Sequence, residues 1–191
     1  AGVERVRHLV RQQQHGLGSP LFAAMLDACH RHGCDILTLQ NSDDPRAMTH
    51  YFRHGFRPTL PHLVWAADAL APVSADAASH LRAEPISDEA TLRTASDIDK
   101  AVRGVRRLED LRRWSSENTA LLLLDRLSGI PRGYAILRKD QGAVRIGPLA
   151  AINAADLGDV LHIALQYAAS LDATSWRIAF PADNIAAIPI L

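Results

Sequence analysis

The chain has 191 residues, 21 of them basic and 21 acidic. That length can bury a substantial core and makes one large domain or about one and a half small ones. Balanced charge gives no support to a general polyanion-binding role, although it leaves room for a local basic patch. The most apolar short run, Leu121–Leu124, ends at Asp125, far short of a membrane span, and the first residues have no signal-peptide architecture.

In chain order, residues 3–10 alternate loosely and end in Leu9-Val10, which predicts a strand. A glycine-bearing turn follows, Gln12-Gln13-Gln14-His15-Gly16-Leu17-Gly18, and then a helix over Ser19–His32. Its apolar positions Leu21, Phe22, Met25, Leu26 and Cys29 are spaced three and four apart, and Gly33 is its C-terminal cap. The only cysteines, Cys29 and Cys34, flank His30 and His32, but zinc needs four well-spaced ligands. Two reduced structural thiols are the better reading, and two cysteines cannot make a disulfide scaffold, so a cytoplasmic protein is expected.

Ile36–Leu39 reads as a short strand. Asp43-Asp44-Pro45 supplies an acidic cap and a first-turn proline for the next helix, where Ala47, Met48, Tyr51 and Phe52 share a face and Gly55 stops the run. His50 and His54 share a face too, but without a third ligand they predict no metal site. Phe56–Ala66 is extended and broken by Pro58 and Pro61, an edge or bulged strand that we expect to join the sheet of the second half. Residues 67–80 read as a linker. Beyond it come a strand at Leu81–Ile86 and a helical region with one break, capped by Ser87-Asp88-Glu89 and reaching Trp114. Three meander strands follow at Ala120–Leu124, Gly133–Leu137 and Val144–Leu149. A helix built on Leu157, Val160, Leu161, Ala164, Leu165 and Ala168 leads to a strand at Trp176–Phe180 and the start of another helix.

The two ends repeat without gaps. Leu9 matches Leu149, Leu17-Gly18 matches Leu157-Gly158, Leu21 matches Leu161, Ala28 matches Ala168 and Ala47 matches Ala187, each pair 140 positions apart. Each end reads strand, turn, helix, strand, helix start. On this alignment the chain holds the back half of one unit (residues 1–66), a linker (67–80) and most of a second unit (81–191), so a longer natural protein is expected.

The pattern Gln13-x-x-Gly16-x-Gly18 after a strand, coupled to Ala47-x-x-x-Tyr51-x-x-x-Gly55-Phe56, resembles the GNAT superfamily of acyl-CoA-dependent N-acetyltransferases. The resemblance implies a mixed α/β fold of tandem type, with acetyl-CoA as co-substrate and no metal. It implies that the Leu9-Val10 strand pairs with the pantetheine arm. Backbone N–H groups of Gln13, Gln14, His15, Gly16, Leu17, Gly18 and Ser19 would hold the pyrophosphate. Asp44 stands where the family usually has a helix-start asparagine, and Tyr51 is placed as general acid to the departing thiolate. Elementary chemistry agrees: glycines let backbone approach phosphate oxygens, Ser19 could cap the helix or bind the same phosphate, and phenol and thiol pKa values lie within about two units. The plainer alternatives are an ordinary strand-to-helix turn and a core aromatic.

In the second copy Asp156 replaces Gly16, Asn153 replaces Gln13 and Leu191 replaces Tyr51, while Asn184 fits the helix-start asparagine. A carboxylate would repel pyrophosphate, so this copy is expected to shape the acceptor site or an interface without binding acetyl-CoA in the usual way. Asp97-Ile98-Asp99 and the basic run Arg103–Arg113 border the acceptor pocket in the family, but a solvated helical face is the plainer reading. The expected activity is acetyl transfer to a primary amine of a small molecule or peptide, with no nucleic acid or membrane partner and a homodimer left open. The alternatives are a non-catalytic CoA-binding or interaction module of the same fold, and a Rossmann-like nucleotide domain, where Asp43 and Asp44 lie somewhat too far past the glycines to decide between the two.

Overall fold

Local capping rules account for the two helices described within residues 1–59, the first of two units into which the chain divides. The computed structural model describes residues 16, 18–34, 37–40, 44–67, 79–140, 142–171, 173–182 and 184. The expected Leu9-Val10 strand, most of the linker and the start of the last helix lie outside them. Helix α1 (Gly18–Arg31) ends at Gly33, whose φ of 69° suits glycine. There Cys34 N–H donates to the Cys29 carbonyl and Gly33 N–H to that of His30, both at 3.0 Å, a paired closure of the last turn. Helix α2 (Pro45–Arg53) starts at Asp44, whose carboxylate accepts from Arg46 N–H at 2.9 Å, with Pro45 in the first turn.

One expectation fails in this unit. Leu37–Leu39 form no strand; the residues are irregular, and Ile36 lies outside the described set. An apolar run of this length becomes a strand only where a ladder satisfies its backbone, and the described residues of this unit contain no strand to pair with it.

Leu60–Leu191 form the second unit. Its strands are β1 (His62–Ala67), β2 (Leu81–Pro85), β3 (Thr119–Asp125), β4 (Pro131–Asp140), β5 (Ala143–Ala151) and β6 (Ser175–Pro181), in the order β1-β6-β5-β4-β3-β2. β1 pairs antiparallel with β6 at one edge, so the expected Phe56–Ala66 strand joins this sheet from His62 on, while its stretch up to Pro61 is irregular. β4 and β5 outrun their predicted ends because the hairpin ladder continues to Asp140 and Ala143.

Helices α3 (Glu89–Arg103) and α4 (Leu108–Glu117) cover one face, and α5 (Leu157–Ala169) covers the other. Asp88 starts α3 with a reciprocal capping box: its carboxylate accepts from Thr91 N–H at 2.8 Å, and Thr91 reaches back to Asp88 N–H. Alternate residues of β3 enter the two cores, Leu121 and Leu123 toward α5 and Leu122 and Leu124 toward α3 and α4. A strand covered on both faces needs a continuous apolar run, which explains Leu121–Leu124. Gly133 is required where α5 meets β4, since a Cβ there would lie 2.6 Å from the Ala150 carbonyl and 2.8 Å from Val160. β5 and β6 form the only parallel pair among the described strands, joined through α5. Among the described residues no helix is long and apolar enough to cross a membrane.

Candidate active site

Gly16 has φ 70° and is exposed, and α1 begins two residues later at Gly18. A Cβ at either glycine would meet nothing within 4 Å. Packing therefore requires neither glycine; backbone conformation favours glycine at position 16. No acidic residue stands in the first turn of α1, so no carboxylate of that turn competes for its free N–H groups. Ser19 lies inside the first turn rather than at the cap, because the helix starts one residue earlier than predicted. Leu9, Val10, Gln13, Gln14, His15 and Leu17 lie outside the described residues.

Tyr51 sits half-buried on α2. Its position follows from the closure of that helix: Phe56 N–H donates to the Tyr51 carbonyl at 3.1 Å, and Gly55, at φ 83°, makes the reversal. This accounts for the spacing Tyr51-x-x-x-Gly55-Phe56. The Phe56 and Tyr51 rings lie 6.2 Å apart, and Phe22 of α1 packs 5.3 Å from Tyr51. Phe22 also meets His50 at 5.1 Å and His54 at 5.0 Å, so one ring from α1 gathers a phenol and two imidazoles. Phe52 points elsewhere and is exposed. Asp44 caps its own helix through Oδ1. Among the described residues no group of three His, Cys, Asp or Glu is placed to hold a metal ion.

The corresponding turn of the second unit is built differently. Asp156 is buried immediately before α5, and Asp159 adds a second acid in the first turn. Asn153 Nδ2 donates to Asp156 at 3.2 Å, while His80 faces Asp156 through Nε2 at 3.1 Å and Asp159 through Nδ1 at 2.7 Å. A carboxylate thus faces each imidazole nitrogen. Upstream, the parallel register of β5 with β6 ends at Ile146 opposite Ile178, and β5 runs on without it to Ala151. On that free stretch the Leu149 carbonyl accepts from Arg103 Nη2 at 3.1 Å.

Arg103 belongs to a buried network that departs from the solvated face expected for Asp97–Arg113. Asp97 is on the surface with Arg106 at 2.7 Å, but Asp99 has no exposed surface. Its carboxylate accepts from Arg107 Nε and Nη2 (both 2.8 Å), Arg103 Nε (3.0 Å) and the Tyr134 hydroxyl (2.6 Å). Three donors meet Oδ1 and one meets Oδ2, and with no exposed surface the carboxylate is not presented to a substrate ammonium. Burial pushes the Asp99 carboxyl up, but the Arg107 and Tyr134 hydrogen bonds and the charges of Arg107 and Arg103 outweigh it, for a net lowering. Tyr134 is raised by burial and by the neighbouring carboxylate. His80 and Tyr134 were not singled out as sequence signals: one sits at the end of an apparent linker, the other reads as an ordinary strand aromatic.

No protein-family model matches the sequence, and no curated protein is similar to it. Solved structures are. A GCN5-related N-acetyltransferase from Sphaerobacter thermophilus superposes with TM-score 0.55 and 17% identity, over 90% of this chain and 61% of that one. A second, from Kribbella flavida, gives 0.54 and 15% over 91% and 43%. A tandem GNAT protein from the clavulanic acid biosynthesis pathway gives 0.50 and 17% over 93% and 65%. The chain spans less than two thirds of the length of each. At such identities the likeness is one of fold, and it agrees with the strand order and helix placement described above. The fold of this chain is that of the GNAT acetyltransferases, mixed α/β on a six-stranded sheet.

Proposed function

We propose that this chain is a tandem GNAT-type acetyltransferase in which the first copy, with Gly16, Gly18 and Tyr51, takes acetyl-CoA and the second copy does not. One observation carries the reading: Gly16, left-handed and open, precedes a helix start free of acid, on a chain of this fold. The turn between β5 and α5 supports the other half, since Asp156 puts a bonded carboxylate where a phosphate would have to sit.

In the reaction a primary amine of a small molecule or peptide attacks the thioester carbonyl carbon. The tetrahedral intermediate collapses with loss of the C–S bond, the attacking nitrogen gives its proton to a base, and Tyr51 supplies the proton that the CoA thiolate takes up. The aromatic setting of Tyr51 holds its ring in one place for that transfer.

The test is CoA release from acetyl-CoA by the intact protein, followed with a thiol reagent across small amines and lysine-bearing peptides. Amine-dependent release is expected with at least one of them. CoA binding without release for any amine would favour a non-catalytic CoA-binding module, and full activity in Tyr51→Phe would remove Tyr51 as proton donor.

A further inference from the structure

Three arginines stand side by side across three strands of the sheet. The register pairs Arg138 of β4 with Arg145 of β5, and Arg145 with Arg177 of β6. Their strand neighbours Leu137, Val144, Ile146, Trp176 and Ile178 enter the core beneath α5, so alternation sends all three arginines to the opposite face. Adjacent strands lie about 4.8 Å apart, which sets the three Cα positions within roughly 10 Å. Arg145 and Arg177 are exposed, and Arg138 is half-buried.

Among the described residues the row lacks the ion pairs found elsewhere in this unit. Eight other arginines there lie within ion-pair distance of a carboxylate. Among the described residues Arg138, Arg145 and Arg177 have no such pair. The Nε of Arg138 is buried without an acceptor, and burial together with the like charge of Arg145 disfavours its cationic form. Like charges directly opposite on neighbouring strands are destabilising. The ground around the row is low: Ala66 is the β1 partner of Arg177, Ala179 lies two residues beyond it, and a Cβ on Gly147 would meet nothing within 4 Å.

We propose that the Arg138–Arg145–Arg177 row is a binding site for a compact multivalent oxyanion, a polyphosphate or a polycarboxylate. Guanidinium forks match both oxyanions bidentately. Such a ligand would neutralise three adjacent cations at once and give the orphaned Arg138 Nε–H an acceptor. The site lies wholly within the second unit and makes no use of Gly16 or Tyr51, so it stands or falls apart from the acetyl-CoA reading.

The intact protein, labelled with 15N, is titrated at fixed ionic strength with tripolyphosphate, then separately with citrate, while arginine Nε–H signals are followed. Saturable shifts are expected at a small set of arginines that includes Arg138. Arg145→Gln/Arg177→Gln should weaken binding at least tenfold. Without ligand, that variant should melt no lower than the parent, because it removes like-charge repulsion at exposed positions; the single Arg177→Gln should show the same two trends more weakly. Tighter tripolyphosphate assigns a phosphate ligand, and tighter citrate a carboxylate one. Shifts that only track sodium chloride, or affinity unchanged in the double variant, would overturn the site. So would a single-stranded oligonucleotide binding more tightly than either small anion, which would make the row part of an extended polyanion surface.

Discussion

Gly16 and Asp156 hold matching places, each just before a helix and 140 positions apart, yet their surroundings are opposed. At the first, the backbone is left-handed, space is open, and the first turn of α1 contains no acid. At the second, a buried carboxylate sits at the helix start, fixed by Asn153 and His80, with Asp159 one turn on. A helix start favours negative charge wherever it comes from. The second turn already has that charge within the chain; the first turn of α1 has none of its own.

Substitutions on the two sides of this contrast should differ in what they change. The largest effect is expected for Tyr51→Phe, a loss in kcat of roughly 10²–10⁴-fold, the usual share of a general acid, with CoA affinity unchanged by direct titration. An unchanged kcat would leave the first copy without its assigned chemistry. Asp99→Asn should destabilise the second unit by about 3–5 kcal/mol in chemical denaturation, since it leaves Arg103 and Arg107 facing an uncharged, mismatched partner. Its pH dependence has a definite sign. The native Asp99 carboxyl lies below its ordinary value, so its contribution is present above the ordinary carboxylate range and is lost as pH falls through the lowered value. Acid unfolding should accordingly be steeper in the parent than in Asp99→Asn; identical acid profiles would contradict the network.

Gly133→Ala should cost about 1–3 kcal/mol by overpacking α5 against β4, read as a drop in melting temperature, while CoA binding at the first copy persists. The smallest effect is expected for His80→Ala, about 1 kcal/mol or less because half of the side chain is exposed. It should create no second CoA site, since Asp156 stays in place.

Much of the fold was legible because the signals are local. Asp88, Asp44-Pro45, Gly33 and Gly55 mark helix ends through hydrogen bonds to residues a few positions away. The Tyr51–Phe56 spacing was readable for the same reason. Other features depend on partners far along the chain. Asp99 looked solvated because only Tyr134, 35 positions later, and the return of Arg107 reveal its burial. Leu37–Leu39 looked like a strand because an apolar run does not announce whether a ladder will meet it. The arginine row becomes visible only with the register, which brings Arg138, Arg145 and Arg177 together from three strands.

On this proposal one turn binds CoA and the other does not. Isothermal titration of CoA into the intact chain tests it most directly, alongside Gly16→Asp and Asp156→Gly. One site is expected in the parent and in Asp156→Gly. Gly16→Asp, which adds a like charge and a Cβ at positive φ, should weaken it on the order of 100-fold, or about 2.8 kcal/mol. Two equal sites in the parent, or undiminished binding in Gly16→Asp, would contradict the account.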